Sequence, residues 1–153
     1  MKKSFTLLEL IFVVLIISIL SYLAITHNYK SVQKANLTQL DAEILLIRNA
    51  IEQNYNDRVM LNNSAKYIEF LDEAAIESKS QTLFDGYKDD ILLDPIIFST
   101  TTQEKNIGQW IKIAQRSYKI YLNMNESVEF TYDNNKGSFD CNFQEPLCKE
   151  LTQ

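Results

Sequence analysis

A chain of 153 residues has room for one core and excludes two ordinary domains with a linker between them. Hydrophobic residues at 46% and charged residues at 23% exclude a disordered tail or a multi-span membrane protein, and a formal net charge of -5 gives no global attraction to nucleic acid or an anionic surface. With 3 glycines and 2 prolines there is no Gly-rich phosphate loop and no GxGxxG or Walker-type spacing, so nucleotide chemistry is not expected.

From Leu10 to Ile25 no residue is charged, and from Phe5 to Ala24 the single ionisable side chain is Glu9. About 20 apolar residues in helix match a hydrocarbon core of ~30 Å, so the run predicts a membrane-spanning helix. Lys2 and Lys3 precede it and the next cation is Lys30, which by the positive-inside bias leaves the N-terminus cytoplasmic and the remainder exported. A buried helix of a soluble protein would be shorter and less uniformly apolar. A cleaved secretory signal would carry a small-x-small site, which Ser21 to His27 does not offer. A plain anchor, in turn, would avoid a carboxylate, which costs on the order of 3 kcal/mol inside a spanning helix. Glu9 therefore asks for a cationic partner.

The run Lys2, Lys3, Ser4, Phe5, Thr6, Leu7, Leu8, Glu9, Leu10 resembles the processing motif of type IV prepilins and pseudopilins. The family most often has Gly before the cut, where this chain has Ser4. The resemblance implies cleavage by a prepilin peptidase between Ser4 and Phe5, N-methylation of Phe5, and an inter-subunit salt bridge from Glu9 to the Phe5 amine of a neighbour. It further implies a structural, non-enzymatic filament subunit of a type II secretion or DNA-uptake machine, located in the bacterial inner membrane with its C-terminal domain in the periplasm. Its partners would be other pilin-like subunits, the peptidase, an inner-membrane assembly platform and the membrane itself. The expected divisions are a leader at 1–4, a transmembrane and filament-core helix at 5–28, and an exported domain at 29–153. Loss of Lys2 and Lys3 with the leader makes the mature chain two charges more acidic. The competing readings are a single-pass membrane-anchored periplasmic binding or sensor domain, and an anchored enzyme.

From Tyr29 to Tyr55 there is no proline or glycine, and Leu37, Leu40, Ile44, Ile47 and Ile51 recur at helical spacing. One helix from Phe5 to about Asn56 would be ~78 Å long, with this stripe packed on a sheet. Asn62 to Ser64 reads as a turn, and Phe70, Leu71, Ala74 and Ala75 predict a short helix over Tyr67–Ser78. Asp94 and Pro95 break the chain. Between Ile107 and Ala114 both a helical turn and a short strand fit. Ser117–Leu122 alternates as a strand, as do Val128, Phe130 and Tyr132 with Glu129 and Thr131. Turns at Asn123–Glu126 and Asp133–Gly137 lead into a third strand at Ser138–Cys141. The fold class expected is α+β and pilin-like: a long N-terminal helix, its first half transmembrane, on a small antiparallel sheet.

Cys141 and Cys148, the only cysteines, lie on the expected exported side, where a disulfide persists. Closing that loop stabilises by about 2.5 kcal/mol on the chain-entropy model. Two thiols without a nearby histidine do not make a zinc site, and the lone His27 reads as a solvated interfacial side chain. Asp85, Asp89, Asp90 and Asp94 match no EF-hand spacing and read as a solvated turn rather than a calcium site. No metal, cofactor or catalytic residue is expected. Between Lys105 and Asn125 the chain has cations and no acid: Lys105, Lys112, Arg116 and Lys119 interleave with Trp110, Tyr118 and Tyr121. Lys112, Arg116 and Lys119 are therefore candidate DNA contacts; the competing reading buries the aromatics and leaves the cations solvated.

Overall fold

The structure, a computed structural model, describes residues 7–62, 65–103, 106–123 and 126–151, apart from the side chains of 23–35, 62 and 150. Helix α1 runs Leu7–Asn62. The chain divides into two units, Met1–Ala35 and Asn36–Gln153, a boundary seven residues beyond the one expected at 28/29.

In the first unit the described side chains of α1 are apolar from Leu7 to Tyr22 except for Glu9, Ser18 and Ser21. Among the described residues no helix is long and apolar enough to cross a membrane. This corrects the expected pilin-like α+β fold with a transmembrane first half, and with it the single-pass location in the inner membrane with a periplasmic C-terminal domain.

The second unit holds the core. Leu40, Ile44, Ile47 and Ile51 of α1 are buried on one face, as a three-and-four spacing requires. They join the aromatic residues of a four-stranded antiparallel sheet in one cluster. Before that sheet come two short ladders: β1 (Thr82–Leu83) pairs with β4 (Ile97–Phe98), and β2 (Gly86–Tyr87) with β3 (Asp90–Ile91). The main sheet is a meander of β5 (Trp110–Ala114), β6 (Ser117–Tyr121), β7 (Ser127–Asp133) and β8 (Ser138–Cys141) in that spatial order.

Alternation sets its register. Tyr118 and Ile120 of β6 lie opposite Phe130 and Val128 of β7, and all four are buried while Glu129 and Thr131 face solvent. Phe84, Trp110, Phe130 and Phe139 meet edge to face or stacked at 5.2–5.6 Å between ring centres, the separations at which aromatic pairs add to their burial energy. Within the ambiguous stretch 107–114, Trp110–Ala114 forms β5, paired with β6, and Trp110, Ile111 and Lys112 are all buried.

Polar ties fix the helix to the sheet. The Trp110 indole N–H donates to Glu43 Oε2 at 2.8 Å. Arg48 donates to the Phe139 carbonyl at 3.0 Å and to Asp140 Oδ1 at 2.8 Å, which covers part of the outer edge of β8. The β7–β8 turn closes on Asp133, whose carboxyl and carbonyl accept the Asn135 and Gly137 N–H groups. The Asn135 N–H holds that carboxyl below its usual range. The C-terminal helix α2 (Pro146–Leu151) is fastened by the Cys141–Cys148 disulfide, with a Cα–Cα distance of 5.8 Å.

The helix expected over Tyr67–Ser78 is absent: that segment is irregular. Its apolar residues Ile68 and Leu71 do go inside, but Asp72 accepts the N–H groups of Ala74 and Phe84. Such a side-chain bond two residues on offers the backbone an alternative to helix. The turn at 62–64 falls largely outside the described residues; α1 itself extends to Asn62, beyond the expected end near Asn56.

Candidate functional site

The first candidate is the helical surface from Leu7 to Tyr22. Leu7, Leu8 and Phe12 are 78%, 77% and 63% exposed, and the apolar side chains on every other face of this stretch are also exposed. An all-round apolar helix stands out in water, since burying one such side chain gains ~1.5–3 kcal/mol. Glu9 lies in the first turn of this helix and is exposed. Ser18 turns its hydroxyl back to the Val14 carbonyl at 2.7 Å, so that its polar atom does not interrupt the apolar face. The expected cleavage and methylation residues Ser4 and Phe5 lie outside the described residues, as does the side chain of His27.

The second candidate, the basic stretch, does not form a surface. Lys112 is 1% exposed and its Nζ lies 2.7 Å from Asp72 Oδ1. A buried, ion-paired ammonium is out of reach of phosphate, so Lys112 is not a DNA contact. Arg116 donates from Nε to the Glu69 carbonyl at 3.1 Å and lies over the Phe70 ring. Lys119 is 3.9 Å from Glu129 on the neighbouring strand. Trp110 and Tyr118 are buried and offer no stacking platform. Lys105 lies outside the described residues. The three cations thus serve three different local partners.

What the pattern concealed is the knot around Asp72. Its carboxylate takes the Lys112 ammonium and the Ala74 N–H on Oδ1, and the Tyr118 hydroxyl at 2.7 Å and the Phe84 N–H on Oδ2. Burial, reinforced by the Asp72 charge, pushes the Tyr118 hydroxyl well above its ordinary range. Two sequence signals point here: Lys112 stands two residues after Trp110, on the same face of a strand, and Asp72 sits directly after the apolar Leu71. With every carboxylate oxygen engaged by donors, the arrangement orders the core and presents no reactive group.

Two of the clustered aspartates, Asp85 and Asp90, take separate partners. Asp85 accepts the Thr82 hydroxyl at 2.5 Å and Asp90 lies 3.8 Å from Arg58. Among the described residues no group of three or more His, Cys, Asp or Glu side chains could hold a metal ion. Comparison of the chain with protein-family models, curated proteins and solved structures found no match.

Proposed function

We propose that the chain is a structural subunit of a pilus-like filament, of the pilin or pseudopilin kind, in a type II secretion or DNA-uptake machine. The observation that carries this reading is the exposed, all-round apolar helix 7–22 with Glu9 in its first turn. Such a surface becomes stable when copies of the helix pack side by side, each apolar side chain leaving water for a neighbour. Glu9 then selects the register: paired with the amine of a neighbouring Phe5 it is compensated, whereas a shifted helix would bury it unpaired at a cost of several kcal/mol. The Ser4–Phe5 cut by a prepilin peptidase creates that amine. Other pilin-like subunits, the peptidase and an assembly platform are the partners of this reading, and no catalysis by the chain itself is part of it.

Mass spectrometry of the N-terminus of the protein from its native host tests the proposal. A chain beginning at N-methylated Phe5 is expected; an intact Met1–Ser4 leader overturns it. Deletion of the gene, with transformation frequency and secreted protein read from one culture, separates the two machines.

A further inference from the structure

Within the second unit α1 has two faces of opposite kind. Leu40, Ile44, Ile47 and Ile51 are buried in the core shared with the sheet. At 3.6 residues per turn, the face turned away from them holds Ala42, Leu45, Leu46, Asn49, Gln53 and Asn56. All six are exposed, Leu45 to 59% and Leu46 to 39%. None of the six is charged, over about 21 Å of helix, although the outward face of a helix packed on a core ordinarily carries the charges. Three charges of this helix turn back to the unit instead: Glu43 takes the Trp110 indole N–H, Arg48 pairs with Asp140 at 2.8 Å and Arg58 faces Asp90 at 3.8 Å. The exposed acids Asp41, Glu52 and Asp57 fall along the borders of the uncharged face.

The charge of the unit selects what covers this face. Acidic residues number 20 against 15 basic ones in the chain, and Lys2, Lys3, Lys30 and Lys34 precede the second unit while Glu9 is the one acid that does, so the second unit is more acidic than the chain as a whole. Two copies that approach by their charged surfaces repel, and a basic partner is drawn to the acids rather than to a face without charge. The uncharged face is where two acidic copies can meet with no like charges opposed. Leu45 and Leu46 stand beside Ala42 and Asn49 at three- and four-residue spacings, which sets ridges next to grooves for a second helix. Asn49, Gln53 and Asn56 each place a donor beside an acceptor, so the same row on another copy satisfies them. One patch used by both copies makes a two-fold pair.

We propose that the outward face of α1 in the second unit is an interface with a second copy of this chain, the two helices meeting across Asn49. The inference does not rest on filament assembly, which the mass of the N-terminus tests separately. Oxidative cross-linking of the full chain carrying Asn49→Cys tests it, in a mild detergent that covers the apolar surface 7–22. Gln115→Cys and Asn135→Cys, exposed elsewhere on the unit, report association through any other surface. The middle of a two-fold interface meets itself, so the Asn49→Cys dimer should form at least about tenfold faster than either reference, because pairing raises the effective thiol concentration. Leu45→Glu with Leu46→Glu should return that rate to the reference level at an unchanged melting temperature, since both side chains are exposed. Raising NaCl from about 50 to about 500 mM should speed the cross-link by screening the bordering acids from their counterparts. A dimer no faster than the references, a rate that survives in the double glutamate variant, or a rate that falls with salt would each overturn the proposal.

Discussion

Lys112 and Asp72 stand 40 residues apart in the chain and meet at 2.7 Å with side chains 1% and 0% exposed. The relationship is asymmetric. Asp72 also accepts the Tyr118 hydroxyl and two backbone N–H groups, whereas among the described residues the Lys112 ammonium bonds to Asp72 alone, through its side chain and, at 3.4 Å, its carbonyl.

The two halves of the pair should therefore differ in cost. Asp72→Ala strands a buried ammonium together with three further donors and should destabilise by about 3–5 kcal/mol. Lys112→Met leaves the carboxylate with its other donors and should cost less, about 1–3 kcal/mol. Equilibrium urea unfolding of the two variants reads the order directly; a Lys112→Met loss equal to or above that of Asp72→Ala would refute the asymmetry.

Alkaline stability should depend on two tyrosines. Burial raises Tyr118, with the Asp72 charge adding to it, and burial raises Tyr132 against the opposing pull of Arg116 and Arg58. Tyr132 also donates to the Ile68 carbonyl at 2.7 Å. Because the folded values lie above the unfolded value near 10, both groups contribute stability that is complete below pH ~10 and is lost as pH rises toward the folded values. Absorbance at the tyrosinate band should show these two ionising only together with unfolding, and Tyr118→Phe with Tyr132→Phe should flatten the loss of stability above pH ~10. Early, reversible ionisation of all tyrosines in the folded protein would contradict this.

Removing the disulfide should loosen the tail and leave the sheet. Cys148→Ser frees the segment that holds α2 and should cost about 2.5 kcal/mol by the loop-closure argument. Hydrogen exchange should then rise in 142–151 while β6 and β7, paired on both sides, stay protected. Loss of protection across the whole sheet would mean that the tail is part of the cooperative core.

Assembly should depend on Glu9 apart from processing. Glu9→Val is expected to remove the register selection, so that sedimentable filament falls several-fold while N-terminal cleavage persists. Filaments of normal abundance in that variant would count against the pairing of Glu9 with the Phe5 amine.

Periodicity made much of the second unit readable. The stripe Leu40, Ile44, Ile47, Ile51 and the alternations of β6 and β7 are local patterns, and burial of one face follows from them whatever else the chain does. The Asp133–Gly137 turn and the cysteine pair are equally local. The stretch 107–114 stayed ambiguous because Ile107, Trp110, Ile111 and Ala114 fall at helical spacing while Ile111 and Ile113 alternate as in a strand.

The sequence by itself determined which residues repeat at helical or strand spacing, where the chain turns, and that Glu9 is isolated in an apolar run. Only the tertiary structure decided the fate of Asp72, Lys112 and Phe84, because their partners are distant in the chain and a charge reads as solvated until its neighbours are known. It also decided that the Tyr67–Ser78 segment is not helical, since the bonds that hold it open come from a side chain rather than from a period. The cations at Lys112, Arg116 and Lys119, three and four residues apart in sequence, were separated by the same cause: strand pleat and the bend between β5 and β6 send them to different partners.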